Sequence, residues 1–141
     1  MITEKFEQAN VALRREFPAI EHSAIFSLQD KLDPEDKLPY SLYGTFSSQI
    51  IPKLLLEEDI EGFSLEKVIE FINAVYDNPE ADIEFINLID IEWLQPMASI
   101  MKNFKDQITP TNTNLIRKYL RGKALAELKF NLGEGPAPEY Q

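Results

Sequence analysis

The 141 residues are the length of one ordinary domain, which can bury roughly two-thirds of its unfolded surface. There is no cysteine, which excludes disulfides, thiolate nucleophiles and Cys-ligated zinc, while 44% hydrophobic residues with nine Phe and one Trp exclude global disorder. A net charge of −10 and a pI near 4.6 set most of the surface against a phosphate backbone, so a nucleic-acid partner is not expected.

The first residues, MITEKFEQAN, lack the basic start and apolar run of a secretory signal. No apolar stretch reaches the roughly 18 residues of a membrane span, so a cytoplasmic protein without a membrane partner is expected. Thr3 is placed to cap a first helix with Phe6, Ala9, Leu13 and Phe17 on one face, ended by Pro18. A short apolar run, Ala24 to Leu28, precedes turn chemistry at Asp33-Pro34 and Leu38-Pro39. From Pro39 to Leu56, Leu42, Phe46, Ile50 and Leu54 recur every four residues, with Tyr43 and Ile51 beside them; this predicts a helix kinked at Pro52.

Gly62 breaks that element and Ser64 is a candidate N-cap. Leu65, Val68, Ile69, Ile72, Val75 and Tyr76 then share the buried face of an amphipathic helix, with Glu66, Lys67, Glu70, Asn73 and Asp77 expected outward. Asn78-Pro79-Glu80 reads as the next helix start, with cap, N1 proline and first-turn acid in order. The following segment is two-sided. Ile83, Phe85, Ile89, Ile91 and Trp93 alternate as a strand would, whereas Ile86, Ile89, Trp93 and Leu94 form a helical face. The start signal and the helical neighbour favour a largely buried helix. Pro96 opens a further helix with Met97, Ile100, Met101 and Phe104 on one side. Thr109-Pro110 and the following TNTN read as linker and cap, and Leu115, Ile116, Tyr119 and Leu120 as a helix ending or kinking at Gly122. Leu125, Leu128 and Leu132 extend beyond it. The sum is an all-α single domain of six or seven short helices over residues 1–132, with a Gly- and Pro-rich flexible tail at 133–141.

The string IEFIN occurs at Ile69–Asn73 and again at Ile83–Asn87, 14 residues apart, too short a period for a helical solenoid. The repeat is read as a coincidence between two amphipathic helices, which could still stack as a hairpin and share one acidic flank.

Charge is unevenly distributed. Residues 57–92 hold twelve acids against one base, Lys67, a local charge of −11, whereas residues 93–129 hold seven bases against two acids. Such a field attracts basic partners and repels acidic ones.

Candidate chemistry is sparse. His22, the single histidine, has no nucleophile-elbow glycines nearby, so a structural histidine is expected and no catalytic residue is assigned. The glycines match neither GxGxxG nor the P-loop, and no cofactor is expected. Glu66 with Glu70, and Glu80 with Glu84, stand at i, i+4, but the Glu-x-x-His of bundle metal sites and the EF-hand loop are both missing, so no metal site is assigned. Trp93, Tyr40, Tyr43 and Phe46 are expected in the core, and would be binding anchors if exposed.

Three segments, LPYSLYGTFSSQI (Leu38 to Ile50), NLIDIEWLQ (Asn87 to Gln95) and YLRGKALAEL (Tyr119 to Leu128), resemble a family of small, acidic, all-helical bacterial proteins of uncharacterised role, some thought to act as immunity proteins in toxin systems. The resemblance spans roughly residues 38–130 and implies a binding role, with no catalytic residues. The expected function is therefore docking of a basic protein partner, a toxin among the possibilities, through Glu57, Glu58, Asp59, Glu61, Glu66, Glu70, Glu80, Asp82 and Glu84. The alternative is a structural or regulatory module that binds through the aromatic segment 40–46.

Overall fold

The computed structural model describes residues 9–31, 39–56, 58, 60–78, 82–108 and 110–138. Helix α1 (Ala9–Glu16) buries Ala9, Ala12 and Leu13, and Pro18 opens a 3-10 turn at Pro18–His22, with Phe17 fully buried between them. The expected cap Thr3 and the face residue Phe6 lie outside the described residues. A single turn, α2 (Leu28–Lys31), follows the apolar run and is tied back to α1 by the Arg14 guanidinium, which donates to the Lys31 carbonyl.

Helices α3 (Pro39–Gln49) and α4 (Ile51–Leu55) occupy the four-residue repeat, and Leu42, Tyr43, Phe46, Ile50, Ile51 and Leu54 are all buried. The break falls at Ile50 rather than at Pro52. Pro52 has no N–H for the Ser48 carbonyl and its ring crowds that carbonyl, so the helix yields before the proline, which becomes the second residue of α4.

Ser64 caps α5 (Leu65–Asp77), its hydroxyl accepting from the Lys67 amide at 3.2 Å. Gly62 makes the preceding turn possible: its φ is +87°, and a Cβ there would stand 2.3 Å from the Ala19 Cβ. All six expected core residues of α5 are buried, together with Phe71 and, against expectation, Asn73. Lys67 turns toward α1, where its ammonium donates to the Glu16 carbonyl at 3.0 Å and lies over the Phe17 ring.

The next helix starts at Asp82 instead of Asn78, which caps the end of α5; Pro79 and Glu80 lie outside the described residues. Residues 83–93 are helical, as the face reading favoured. Helix α6 (Ile83–Ile89) passes through a π turn (Asp90–Leu94) directly into α7 (Gln95–Asn103), so Pro96 does not open a separate element. The Gln95 amide donates to the Asp90 carbonyl five residues back, and this extra residue adapts the helix to Pro96, which has no N–H to continue the α pattern. The buried pairs record the shift: Phe85-Ile86 and Leu88-Ile89 are followed, after a step of five, by Trp93-Leu94 and Met97-Ala98. Ile91 is turned outward, which is why the segment also mimics a strand.

Helix α8 (Pro110–Tyr119) absorbs the TNTN expected as linker, and α9 (Gly122–Asn131) starts at Gly122 with φ +56°. Asn112 is buried and donates from its amide to the Leu54 and Leu55 carbonyls, taking up the end of α4. Of the tail, Glu134 forms a forked pair with Arg117 at 2.8 Å per bond, which raises the guanidinium's proton affinity and holds the carboxyl below the ordinary glutamate range.

The chain is an all-α single domain; among the described residues the only extended pairing is an isolated bridge between Ile60 and Phe63. Its centre is aromatic. Trp93 lies against Phe46, Phe71 and Tyr43 with ring centroids 4.8, 5.4 and 5.5 Å away, and Phe46 continues through Phe17 at 5.0 Å and Phe63 at 5.6 Å. The two IEFIN helices do pack on one another, but the equivalent asparagines differ, Asn73 buried and Asn87 exposed.

Ile72 has no exposed surface, so Ile72→Asp places a carboxylate in this core and should destabilise the fold by about 3 kcal/mol or more. Urea denaturation followed by circular dichroism measures it; an unchanged midpoint would show that this face of α5 is not core.

Candidate functional site: a groove between α5 and α8

The stripe of α5 beside α8 runs Glu66, Ile69, Glu70, Asn73 and Asp77, one or two positions per turn, with Ile69 and Asn73 buried and the three acids exposed. Between them are two hollows. One, of about 380 Å³, is lined by Glu66, Ile69, Glu70, Asn73, Leu115, Tyr119 and Arg121. The other, of about 520 Å³, is lined by Leu54, Glu58, Phe63, Ser64, Leu65, Glu66, Asn112 and Leu115. Glu66 and Leu115 belong to both, so the hollows adjoin as one groove.

Asn73 builds its closed end. Its side-chain N–H donates to the Tyr119 carbonyl at 2.8 Å, and its carbonyl oxygen accepts from the Arg121 amide at 3.0 Å. These bonds clamp the link between α8 and α9 onto α5 and satisfy a side chain only 3% exposed. Arg121 then reaches Asp77, with Nε 2.8 Å and an Nη 2.6 Å from the same carboxylate oxygen. The two arginines on this side are thus paired internally, Arg121 with Asp77 and Arg117 with Glu134, while the Lys118 ammonium lies over the Tyr119 ring. Glu66 and Glu70 are exposed, stand one turn apart and form no ion pair among the described residues. The single base of the acidic segment, Lys67, faces away toward α1.

Of the nine acids singled out from the sequence, Glu58, Glu66 and Glu70 line the groove. Glu61, Asp82 and Glu84 are exposed but line neither hollow, and Glu57, Asp59 and Glu80 lie outside the described residues. Asn73, Leu115, Tyr119 and Arg121 were not legible as site residues. Asn73 carried one signal: it follows Ile69 by four, on the edge of the buried stripe, where an amide requires partners.

The aromatic segment 40–46 is divided. Tyr43 and Phe46 are wholly buried, and Tyr40 is exposed. Trp93 is also wholly buried, its indole N–H donating to the Tyr43 carbonyl at 3.1 Å. His22 is an exposed residue at the end of the 3-10 turn. Among the described residues, no three His, Asp or Glu side chains converge as metal ligands would, and no helix is long and apolar enough to cross a membrane.

Glu92, on the π turn, rests against Gly44 of α3, where an added Cβ would stand 3.0 Å from its carboxylate. Partial burial raises its pKa above the ordinary value.

No family model matches the chain, and no curated protein or solved structure matches it either.

Two measurements test this geometry. Asn73→Ala removes both clamp bonds and leaves the Tyr119 carbonyl and Arg121 amide unpaired, so it should cost about 2 kcal/mol in chemical denaturation. It should also broaden or shift the NMR amide signals of residues 119–121, and a silent spectrum would contradict the clamp. Because the folded state protonates Glu92 more readily than the unfolded chain does, its contribution to stability falls as pH rises from the ordinary glutamate value to the raised one. Glu92→Gln should therefore raise the melting temperature at pH 7 relative to the native chain, and the gain should vanish below the ordinary glutamate pKa. A gain that persists at low pH would assign the effect to packing.

Proposed function

We propose that the chain is a non-catalytic protein-binding module that docks a basic partner in the groove between α5 and α8. The carrying observation is an asymmetry of charge satisfaction. Arg121 and Arg117 already have carboxylate partners, whereas Glu66 and Glu70 form no ion pair among the described residues. A ligand entering the groove gains by bringing cations, and cations steer its approach. Glu58 extends the same wall. The resemblance to bacterial immunity proteins makes a basic toxin, met in the cytoplasm, the partner class this reading favours. Asp82, Glu84 and Glu61 then contribute only to the long-range field.

The test is an association rate measured against ionic strength, with the products of the flanking genes as the first partners to try. Reversing Glu58, Glu66 and Glu70 together to Lys should slow association at low salt about tenfold or more and flatten its salt dependence, with folding intact; single reversals should change it only slightly. A partner whose on-rate ignores both salt and the triple reversal would move the site away from this groove.

A further inference from the structure

Resting on that reading of the groove, we propose that its occupant is an amphipathic helix of about three turns, with basic residues at i and i+4 facing Glu66 and Glu70 and an apolar residue between them on the floor formed by Ile69 and Leu115. Three observations converge on a helix.

The first is shape. Two neighbouring helices leave between them the seat a third helix takes, and the stretch of α5 from Leu65 to Asn73 spans about 12 Å, a little over two helical turns. The second is spacing. Glu66 and Glu70 are one turn apart, about 6 Å, and a ligand helix repeats its own cations at that interval on one face. The third is backbone satisfaction. An extended peptide buried here would need main-chain partners, but the described residues offer no strand edge beyond the isolated Ile60–Phe63 bridge. A helix carries its hydrogen bonds internally and leaves no such groups unmatched.

The floor contributes as well. Leu115 is half-buried and the Tyr119 ring exposed, so an apolar side chain laid over them, with Ile69 beneath, removes apolar surface from water on both sides. At the far end, the Asp77–Arg121 pair offers no unneutralised acid, which leaves Glu66 and Glu70 to face the ligand's cations.

Three fluorescein-labelled synthetic peptides of about fourteen residues, titrated against the full chain by anisotropy, distinguish the possibilities. One is an amphipathic Leu/Lys/Ala helix with Lys at i, i+4 flanking a leucine; the second carries a central proline; the third moves the lysines to the opposite face. The first should bind at least about tenfold more tightly than the other two and become helical by circular dichroism on binding. Its NMR footprint should fall on residues 66–73 and 112–119, and the Glu66→Gln/Glu70→Gln chain should bind it more weakly. Equal binding of the proline peptide, with the footprint still on the groove, would overturn the helical occupant alone. A footprint elsewhere, or no loss with Glu66→Gln/Glu70→Gln, would overturn the basic-docking reading together with it.

Discussion

A buried indole N–H must find an acceptor, and for Trp93 that acceptor is the carbonyl of Tyr43 in the middle of α3. Tyr43 passes the connection on, because its own hydroxyl donates to the Ala9 carbonyl at the start of α1, 2.7 Å away. Two directional bonds therefore join the π turn, α3 and α1 inside an aromatic cluster whose ring contacts alone would tolerate several arrangements. The extra residue of the π turn belongs to the same constraint. Without it, Trp93 would be rotated by about 100° on its helix and could not reach Tyr43. Glu92 follows from that geometry, for the residue before a docked Trp93 is carried onto Gly44, where a Cβ on α3 would press on its carboxylate at 3.0 Å.

The groove is a second consequence. With Phe71 held against Trp93 and Ile72 in the core, the opposite stripe of α5 is left facing α8. Buried amides hold α8 at both ends, Asn112 on the α4 carbonyls and Asn73 of α5 on the α8–α9 link. Buried amides of this kind specify one register, since a slip would break four hydrogen bonds. A groove held open by register, with acids along one wall and neutralised arginines on the other side, has a fixed electrostatic polarity before any ligand arrives.

The elements that could be read from the sequence are those whose signal is local. Ser64 and the apolar positions of α5 agree with each other, so the start of that helix and its six expected core residues were legible, as were the core positions of the repeat from Leu42 to Leu54. The departures are places where a distant partner decides. Asn73 reads as solvent-facing until α8 is placed beside it, and TNTN reads as a linker until Asn112 is seen to finish α4. The break at Ile50 and the π turn before Pro96 share one cause, as a proline disrupts the turn that precedes it and the chain bends upstream of the residue that names the problem. For the site, the acidic segment was legible as a charge excess, but three of its acids reach the groove only because α5 and the loop before it share one side. The spread of charge along the chain could not distinguish these from Glu61, Asp82 or Glu84.

The two asparagine anchors of α8 also carry a consequence for assembly. Asn112 closes a loop of 57 to 58 residues and Asn73 closes loops of 46 to 48, so each bond requires segments distant in the chain to be brought together. Segment α8 has little apolar surface with which to dock, Ile116 being fully buried and Leu115 half-buried. The wall of the groove thus depends on bonds that close long loops more than on apolar surface of its own.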